Sequence, residues 1–317
     1  MERLHTKVAL TSSETAELLS VHTSTVKRWC NDGELASEKT AGGHRRLHLR
    51  DVMDFARKRD IETFLTPFQP YEPHVWTAFQ DLRRDGSFQR LHALAMGWVM
   101  RGQRRRLGLL YDALARDPSV GCTRFCDEGV RGLMSMVGDA WSEGRLRVGD
   151  EHLTSQAMLE VLVSVGPDPR QAIDAGRAGD RASVAVVGSV EGNRHHLGAI
   201  CERLVLQELG WAVHYLGPDV PLEEFAEIQR DFHADMVCIS LTPPPAAGEL
   251  ARAVRVLSGL YDRGRPYALH LGGRIEGTVE PDLLAGPFTD IAVHDSCASL
   301  CEHIGHDVPS RPSGSAA

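Results

Sequence analysis

From Ala182 onward, short apolar runs of strand length alternate with helical segments. The run Ala182–Val190 is followed by His196–Leu209, which has helical spacing and ends at Gly210. Such alternation is typical of an α/β fold, because a crossover helix is needed to bring the next parallel strand back beside the last one. The sequence therefore predicts a Rossmann-like parallel sheet over residues 180–306, with ligands bound at the carboxyl ends of its strands.

The same alternation continues to the end of this segment. Further strands are expected at Trp211–Leu216, Ala234–Leu241, Tyr267–Leu271 and Asp290–Val293, and further helices at Leu222–Phe232, Gly248–Tyr261 and a last segment through Cys301. Residues 307–317 are rich in proline, serine and glycine, so we expect a disordered tail.

Residues 73–170 have a different pattern, in which apolar residues recur at helical spacing. The repeating apolar positions are Leu91, Leu94, Ala95, Trp98 and Val99, then Val130, Leu133, Met134 and Val137, then Leu153, Ala157, Leu159 and Leu162. Breaks at Asp85–Gly86, Pro118–Ser119 and Arg145–Gly149 divide the segment into four, which predicts a four-helix bundle. The predicted fold class is therefore multidomain, α and α/β.

Residues 1–66 read as a third module, separated from the bundle by a proline-containing linker. Thr11–Glu14 offers a hydroxyl cap and an acid for a first helix, and Thr23 or Ser24 could cap a second one through Trp29. Val26, Trp29 and Leu35 would face the core, which leaves basic residues outward. The glycines at 42 and 43 would form the tip of a hairpin that carries arginines.

This head resembles the MerR/excisionase-type winged helix-turn-helix over roughly residues 8–60, through Thr23–Trp29 and Gly42–Arg46. The resemblance implies binding to a double-stranded DNA operator, with Thr25 or Arg28 of the second helix at base edges and the hairpin as a wing. The expected DNA-binding residues are Thr25, Lys27, Arg28, Lys39, His44, Arg45 and Arg46. The alternative is a small helical module for protein interaction.

Composition restricts the class of protein. Hydrophobic residues make up 42% of the 317 residues, yet the apolar runs are far shorter than the roughly 20 residues of a membrane helix. The N-terminus lacks a signal-like apolar stretch, so we expect a cytoplasmic protein without membrane contact. The seven cysteines form no CxxC pair, which favours free thiols over a metal or redox site.

The charge is uneven along the chain. The net charge is −8, with 35 Lys and Arg against 43 Asp and Glu, but the first 60 residues hold eleven against nine. A slightly basic head on an acidic body permits nucleic-acid binding only at the head, and weakly per copy. Assembly into a homo-oligomer, a dimer or tetramer, would compensate for that weakness.

The loop after Val190 carries the sequence Asn193-Arg194-His195-His196-Leu197-Gly198. No GxGxxG motif is present there, so a dinucleotide is not favoured. The loop resembles the Asp-x-His-x-x-Gly signature of cobalamin-binding domains, on Asn193, His195 and Gly198, and the resemblance covers roughly residues 180–305.

In that family, His195 would be the lower ligand of the cobalt. Ser240 and Thr242, after the third strand, and Gly272 and Gly273, after the fourth, would line the slot for the nucleotide tail. Asn193 departs from the family's acid, yet its carbonyl could accept the ring N–H of His195. The alternatives for His195 are a loop histidine without a ligand role, or His196 as the ligand.

The helical segment adds a second resemblance. Val137-Gly138-Asp139-Ala140-Trp141 and Glu151-His152 resemble the cap of the CarH/LitR-type cobalamin-dependent photoreceptors. There, Trp141, Glu151 and His152 would lie over the upper face of the cofactor and contact its adenosyl group. A core aromatic is the alternative for Trp141 taken alone.

Ser142 departs from this family, whose best-known members have a histidine after the tryptophan that becomes the upper cobalt ligand after photolysis. Serine is a poor ligand for cobalt. Either His152 or His92 takes that role, water fills the site, or the response differs.

Together these resemblances imply a light-responsive transcriptional regulator, expected to be a repressor, that binds adenosylcobalamin or methylcobalamin and is not an enzyme. Photolysis of the Co–C bond would switch its oligomeric state and its DNA binding. The alternatives are a regulator that senses cobalamin level without light, and a corrinoid methyl carrier of a methyltransferase system.

Overall fold

The computed structural model describes residues 8–166, 183–241, 247–273 and 284–305. The chain divides into two compact units, residues 1–113 and residues 114–317. The expected disordered tail, 307–317, lies outside the described residues, as does Thr242.

The first unit begins with the winged head. Its helices are α1 (Ser12–Leu18), α2 (Thr23–Asn31) and α3 (Leu49–Lys58), and its strands are β1 (Ala9–Leu10), β2 (Glu38–Lys39) and β3 (Arg45–His48). The strands form one antiparallel sheet in the order β1-β3-β2, so β2 and β3 are the predicted hairpin. Val26 and Leu35 are buried as expected, and Trp29 packs against Phe55 with ring centroids 4.9 Å apart.

The helix starts of the head differ in one detail from the prediction. Thr11 caps α1 as expected, through a reciprocal pair of bonds with Glu14. The cap of α2 is His22, whose Nδ1 accepts the backbone N–H of Ser24 at 3.3 Å, so the prediction of Thr23 or Ser24 as the cap was wrong. The imidazole acceptor occupies the position of a short hydroxyl.

The following helices have one more break than predicted. They are α4 (Glu72–Asp85), α5 (Gln89–Val99), α6 (Arg104–Ala115), α7 (Cys122–Arg124), α8 (Gly132–Ser142) and α9 (Val148–Val165). A π-helical stretch (Phe125–Arg131) joins α7 directly to α8. A turn at residues 100–103, with Gly102 at a φ of 66°, separates α5 from α6. The count of four helices was therefore wrong, and how the helices assemble as a bundle stays a prediction.

The face of α9 was also misassigned in part. Leu153 is 47% exposed, whereas Thr154, Met158, Val161 and Leu162 are the buried residues of this helix. The buried stripe is thus displaced by one position from Leu153, which is a rotation of about 100° on a helix.

The second unit contains a five-stranded parallel sheet. Its strands are β4 (Val184–Val190), β5 (Ala212–Val220), β6 (Met236–Ser240), β7 (Ala268–Gly272) and β8 (Ile291–His294), in the order β5-β4-β6-β7-β8. The helices are α10 (Leu197–Glu208), α11 (Leu222–Phe232), α12 (Ala247–Leu260) and α13 (Cys297–Gly305). The alternation of strand and helix predicted from the sequence is confirmed, and each boundary falls within a few residues of the expected one.

Both faces of this sheet are covered by apolar packing. On one face Val186, Ile239 and Leu269 pack with Phe225 of α11 and Leu257 of α12. On the other face Ala185, Val187 and Cys238 pack with residues of α10 and α13. Coverage on both sides explains why the strands read as continuous apolar runs in the sequence.

The last helix is fixed to the π-helical stretch by a carboxylate. Asp127 accepts the backbone N–H groups of Cys297 and Ala298, each at 2.9 Å, at the start of α13. The guanidinium of Arg131 donates to the carbonyl of Asp295 at 2.6 Å. A carboxylate at a helix N-terminus satisfies free N–H groups and interacts favourably with the helix dipole.

We predict that Phe225→Ala lowers the free energy of unfolding by about 3–5 kcal/mol, because it removes a fully buried ring and leaves a cavity. Phe232→Ala is the control on the same helix, since Phe232 is 49% exposed and should cost about 1 kcal/mol or less. Urea denaturation followed by circular dichroism measures both. Equal losses for the two variants would contradict this view of the core.

Candidate cobalamin and DNA sites

The loop between β4 and α10 lies at the point where the strand order reverses. The chain leaves β4 toward β5 on one side, while β6 pairs with β4 on the other. A crevice at the carboxyl ends of the strands forms at such a switch point, and open α/β sheets bind their ligands there. The predicted ligand loop, Glu191–Leu197, starts at this point, and its last residue is the first residue of α10.

Asn193 holds this loop against the neighbouring strands. Its Nδ2 donates to the carbonyl of Ser240 at 3.3 Å, and its own backbone N–H donates to the carbonyl of Val190 at 2.9 Å. Its Oδ1 accepts the backbone N–H of His195 at 2.9 Å. Here the Asn193 carbonyl therefore orients the backbone of His195, and not the ring N–H that the sequence suggested.

The two adjacent histidines have different environments. His195 is exposed, and its carbonyl accepts a hydrogen bond from the Ser189 hydroxyl at 3.3 Å. His196 precedes α10 and is half-buried, with its Nδ1 buried and lacking a hydrogen-bond partner. Burial lowers the pKa of His196. The imidazole presented to solvent at the switch point is thus that of His195.

The residues expected to line the tail slot lie at the ends of adjacent strands. Ser240 and Gly272 are register partners in β6 and β7, and Ser240 is buried. A Cβ at Gly273 would come within 2.8 Å of the Leu241 carbonyl oxygen, and the φ of Gly273 is +149°. Gly198, the second residue of α10, is half-buried. A side chain at Gly273 would therefore fill the space at these strand ends.

Glu202 is a site residue that the sequence reasoning missed. A Cβ at Gly272 would lie 1.9 Å from the Glu202 Oε1, so this carboxyl group lies directly over the glycine. Its Oε2 is buried without a hydrogen-bond partner, and burial raises its pKa to about 8. The available signal was the spacing, because Glu202 is four residues after Gly198 and lies on the same side of α10.

Other buried polar atoms on α10 and β5 also lack partners within the described structure. They are Arg203 Nε and Gln207 Oε1 of α10, and the hydroxyl of Tyr215 in β5. Buried polar atoms without partners are rare in folded proteins and call for an explanation such as a ligand. At the strand ends, the glycines that leave no room for a side chain, together with the unpartnered Glu202 carboxyl oxygen, fit a bound group with polar substituents.

The residues predicted to form the cap lie on α8 and α9. Trp141, near the end of α8, is 49% exposed, so the interpretation as a core aromatic is wrong. The Ser142 hydroxyl donates to the Asp139 carbonyl at 2.9 Å, within its own helix. Glu151 accepts the Ser155 hydroxyl at 2.6 Å and pairs with His152. A flat apolar side chain and a preoriented carboxylate are thus both available at this end of the helices.

Helix α9 connects the cap to the ligand loop, since it packs against α10. The helix α10 begins directly after His195 and His196. His92, the other candidate for an upper ligand, lies on α5 in the first unit and packs against Phe88 with ring centroids 5.8 Å apart.

The head presents the expected basic surface. Lys27 and Arg28 of α2 are exposed, as are Lys39, His44 and Arg46 of the hairpin, and Thr25 is half-buried. Arg45 instead donates to the side chain of Asn31, which fixes the hairpin to the end of α2. Arg45 therefore has a structural partner in the head, in addition to any contact with DNA.

The cysteines are free thiols, as predicted. The fold nevertheless gathers several that are distant in sequence. Hydrogen bonding with Cys122, Cys201 and Cys297, together with burial, raises the pKa of Cys126 well above its usual value. A buried thiol with a raised pKa is protonated and unreactive.

Comparison with known proteins matches two family models to this chain. Residues 9–60 match a helix-turn-helix domain, and residues 98–163 match a B12 binding domain. Within the described ranges no helix is both long and apolar enough to cross a membrane.

Curated relatives include the dimethylamine corrinoid protein of Methanosarcina barkeri, 30% identical over 36% of this chain and 52% of that protein. The chain spans about half the length of this relative and of the corrinoid proteins that rank with it. The monomethylamine corrinoid protein of M. barkeri has a similar fold, with a TM-score of 0.51, 14% identity, and coverage of 70% of this chain and 100% of its own.

A further relative matches across the domains. The HTH-type transcriptional repressor CarH of Myxococcus xanthus is 26% identical over 79% of this chain and 85% of its own length. The corrinoid proteins share only about a third of the chain, whereas this match covers most of it. Over most of its length the chain is therefore similar to a helix-turn-helix transcriptional repressor, and it contains matches to a helix-turn-helix domain and a B12 binding domain.

Proposed function

We propose that this protein is a light-responsive transcriptional repressor that binds adenosylcobalamin and a double-stranded DNA operator. The observation that carries the proposal is the exposed imidazole of His195 at the switch point of the sheet, in a chain that also has a helix-turn-helix head. Photolysis of the Co–C bond is the chemistry that the cofactor would supply when bound.

The residues of the loop after β4 and of the strand ends suit that cofactor. His195 would hold the cobalt from below, with Asn193 fixing its backbone. Gly272, Gly273 and Ser240 would line the slot for the nucleotide tail, and Thr242 completes the proposed set. The unpartnered carboxyl of Glu202 would donate or accept a hydrogen bond in this slot.

Trp141, Glu151 and His152 would cover the upper face. The exposed ring of Trp141 would exclude water from the metal, and Glu151, held by Ser155 and His152, would accept hydrogen bonds from ribose hydroxyls. The adenosyl group would thereby favour one arrangement of the cap over another. A ligand shifts a conformational equilibrium only through such a difference in affinity.

The exposed basic residues of α2 and the hairpin would contact the phosphate backbone, with Thr25 or Arg28 at base edges. One copy of a slightly basic head binds DNA weakly. We propose that the adenosylcobalamin-bound chain forms a homo-oligomer, a dimer or tetramer, that raises the effective concentration of heads at the operator.

Two alternatives rest on specific observations. Ser142 cannot replace the histidine that serves as the upper ligand in related photoreceptors, and its hydroxyl is engaged by Asp139. This observation favours a regulator that senses cobalamin level without light. Similarity to dimethylamine corrinoid proteins favours a methyl carrier, but a methyl carrier does not need a helix-turn-helix head.

We predict that His195→Ala abolishes the absorption spectrum of histidine-ligated cobalamin, because the exposed imidazole of the loop is removed. His196→Ala is the matched control and should keep that spectrum, since the His196 Nδ1 is buried. Spectra of each variant reconstituted with adenosylcobalamin in the dark test this. Loss of the spectrum in the His196 variant alone would assign the ligand role to His196.

We predict that Arg28→Ala and Arg46→Ala each weaken operator binding and reduce the slope of log affinity against log salt by about 1, as expected for a lost phosphate contact. Arg84→Ala is the control, because Arg84 is an exposed arginine outside the head that pairs with Asp85. Fluorescence anisotropy at several salt concentrations measures the slopes. Unchanged slopes in both head variants would contradict this DNA surface.

We predict that green light lowers both the mass of the adenosylcobalamin-bound chain in solution and its affinity for the operator. Size-exclusion chromatography with light scattering and anisotropy titrations, in the dark and after illumination, measure these quantities. The methylcobalamin-bound chain serves as the comparison. A cofactor-dependent but light-independent mass would support the cofactor-level sensor, and no DNA binding in any state would support the methyl carrier.

A further inference from the structure

A cluster of imidazoles and one carboxylate lies between β7, β8 and α13. It contains His270 in the middle of β7, Asp290 directly before β8, His294 at the end of β8, and His303 in the last turn of α13. This cluster lies on the β7–β8 side of the sheet, whereas the proposed cobalamin loop follows β4. The proposed function gives them no role.

Three of these side chains converge on one point. His270, Asp290 and His303 each offer a ligand atom, and these atoms lie within 4.8 Å of one another. The Nε2 of His303 is 2.6 Å from the Asp290 Oδ2, and the Nε2 of His270 is 3.5 Å from the same oxygen. Ligands of a tetrahedral Zn²⁺ at about 2.0–2.1 Å are separated by about 3.3 Å. Small side-chain rotations would therefore bring all three to one ion.

The other nitrogen of His270 is already engaged. Its Nδ1 lies 2.8 Å from the Nε2 of His294, and the Nδ1 of His294 lies 3.1 Å from the Ser299 hydroxyl. If the Ser299 hydroxyl accepts the N–H of His294 Nδ1, then His294 Nε2 is free to accept the N–H of His270 Nδ1. The His270 Nε2 then carries a lone pair, and it faces Asp290. A second partner that fixes the tautomer in this way is typical of histidines that bind metals.

The protonation of these imidazoles suits the same role. Burial, together with the neighbouring imidazoles, lowers the pKa of His270 and of His294 to about 4. A neutral imidazole is the form that binds a metal. The cluster also has an entry path, because Asp290 is 40% and His303 37% exposed at the side chain.

We propose that His270, Asp290 and His303 form a binding site for a divalent transition-metal ion of the Zn²⁺ class. Two imidazoles with one carboxylate are the donors that such ions prefer, whereas Mg²⁺ and Ca²⁺ prefer oxygen alone. Three protein ligands leave one position for water. The bound ion would connect α13 to the outer edge of the sheet, at the end of the helix opposite to Asp127. This inference does not rest on cobalamin binding.

The test uses the full chain with no affinity tag and no cobalamin, titrated with zinc chloride by isothermal titration calorimetry. We expect the wild type to bind Zn²⁺ at this site, and Asp290→Asn and His303→Ala each to weaken that binding by about tenfold or more. Both residues are partly exposed, so these variants should keep the fold. Circular dichroism without metal checks this.

The matched control is Glu302→Gln, which removes an exposed carboxylate on α13 beside His303 and should leave the Zn²⁺ affinity unchanged. His294→Ala tests the positioning role, with an affinity about 10–100-fold weaker but the same number of ions bound at saturation. X-ray absorption of the zinc-loaded chain should show nitrogen and oxygen neighbours, with no sulfur at about 2.3 Å.

Two results would overturn the proposal. Asp290→Asn and His303→Ala variants that bind Zn²⁺ as tightly as the wild type would exclude these ligands. A zinc ion with sulfur neighbours would place the metal at the cysteines around Cys126.

Discussion

The parallel pairing of β4 with both β5 and β6 is the constraint on which the candidate cofactor site depends. Because β4 lies between β5 and β6, the chain leaves it in one direction and later returns on its other side, which opens a crevice at its carboxyl end. Asn193 connects the loop at that end to the Ser240 carbonyl. The position of His195 follows from these contacts.

The same strand ends show how packing and ligand binding compete for space. Gly272 leaves room that Glu202 enters from α10, at the cost of a buried carboxyl oxygen without a partner. A carboxyl group in such a position is destabilising unless it is protonated or finds a partner. The raised pKa of Glu202 favours the protonated carboxyl group, and a bound cofactor would provide a hydrogen-bond partner.

Much of the fold was predictable because the spacing of apolar residues along the chain indicates which side chains are buried. The sheet strands read as apolar runs, α11 was predicted at its observed bounds, and the wing was marked by its glycines. The break between α5 and α6 and the buried face of α9 were not predictable in the same way. The turn at Arg101, Gly102 and Gln103 is marked by its glycine and its polar residues and not by apolar periodicity, and a stripe displaced by one residue leaves the overall hydrophobic pattern almost unchanged.

The sequence by itself determined the order of elements, the basic head and the motif that contains His195, because these depend on neighbours along the chain. Only the tertiary structure decided the strand order, the carboxyl of Glu202 over Gly272, and the meeting of His270, Asp290 and His303. Those three residues come from a strand, a loop and a helix. Their approach depends on sheet register and helix packing, which no local spacing encodes.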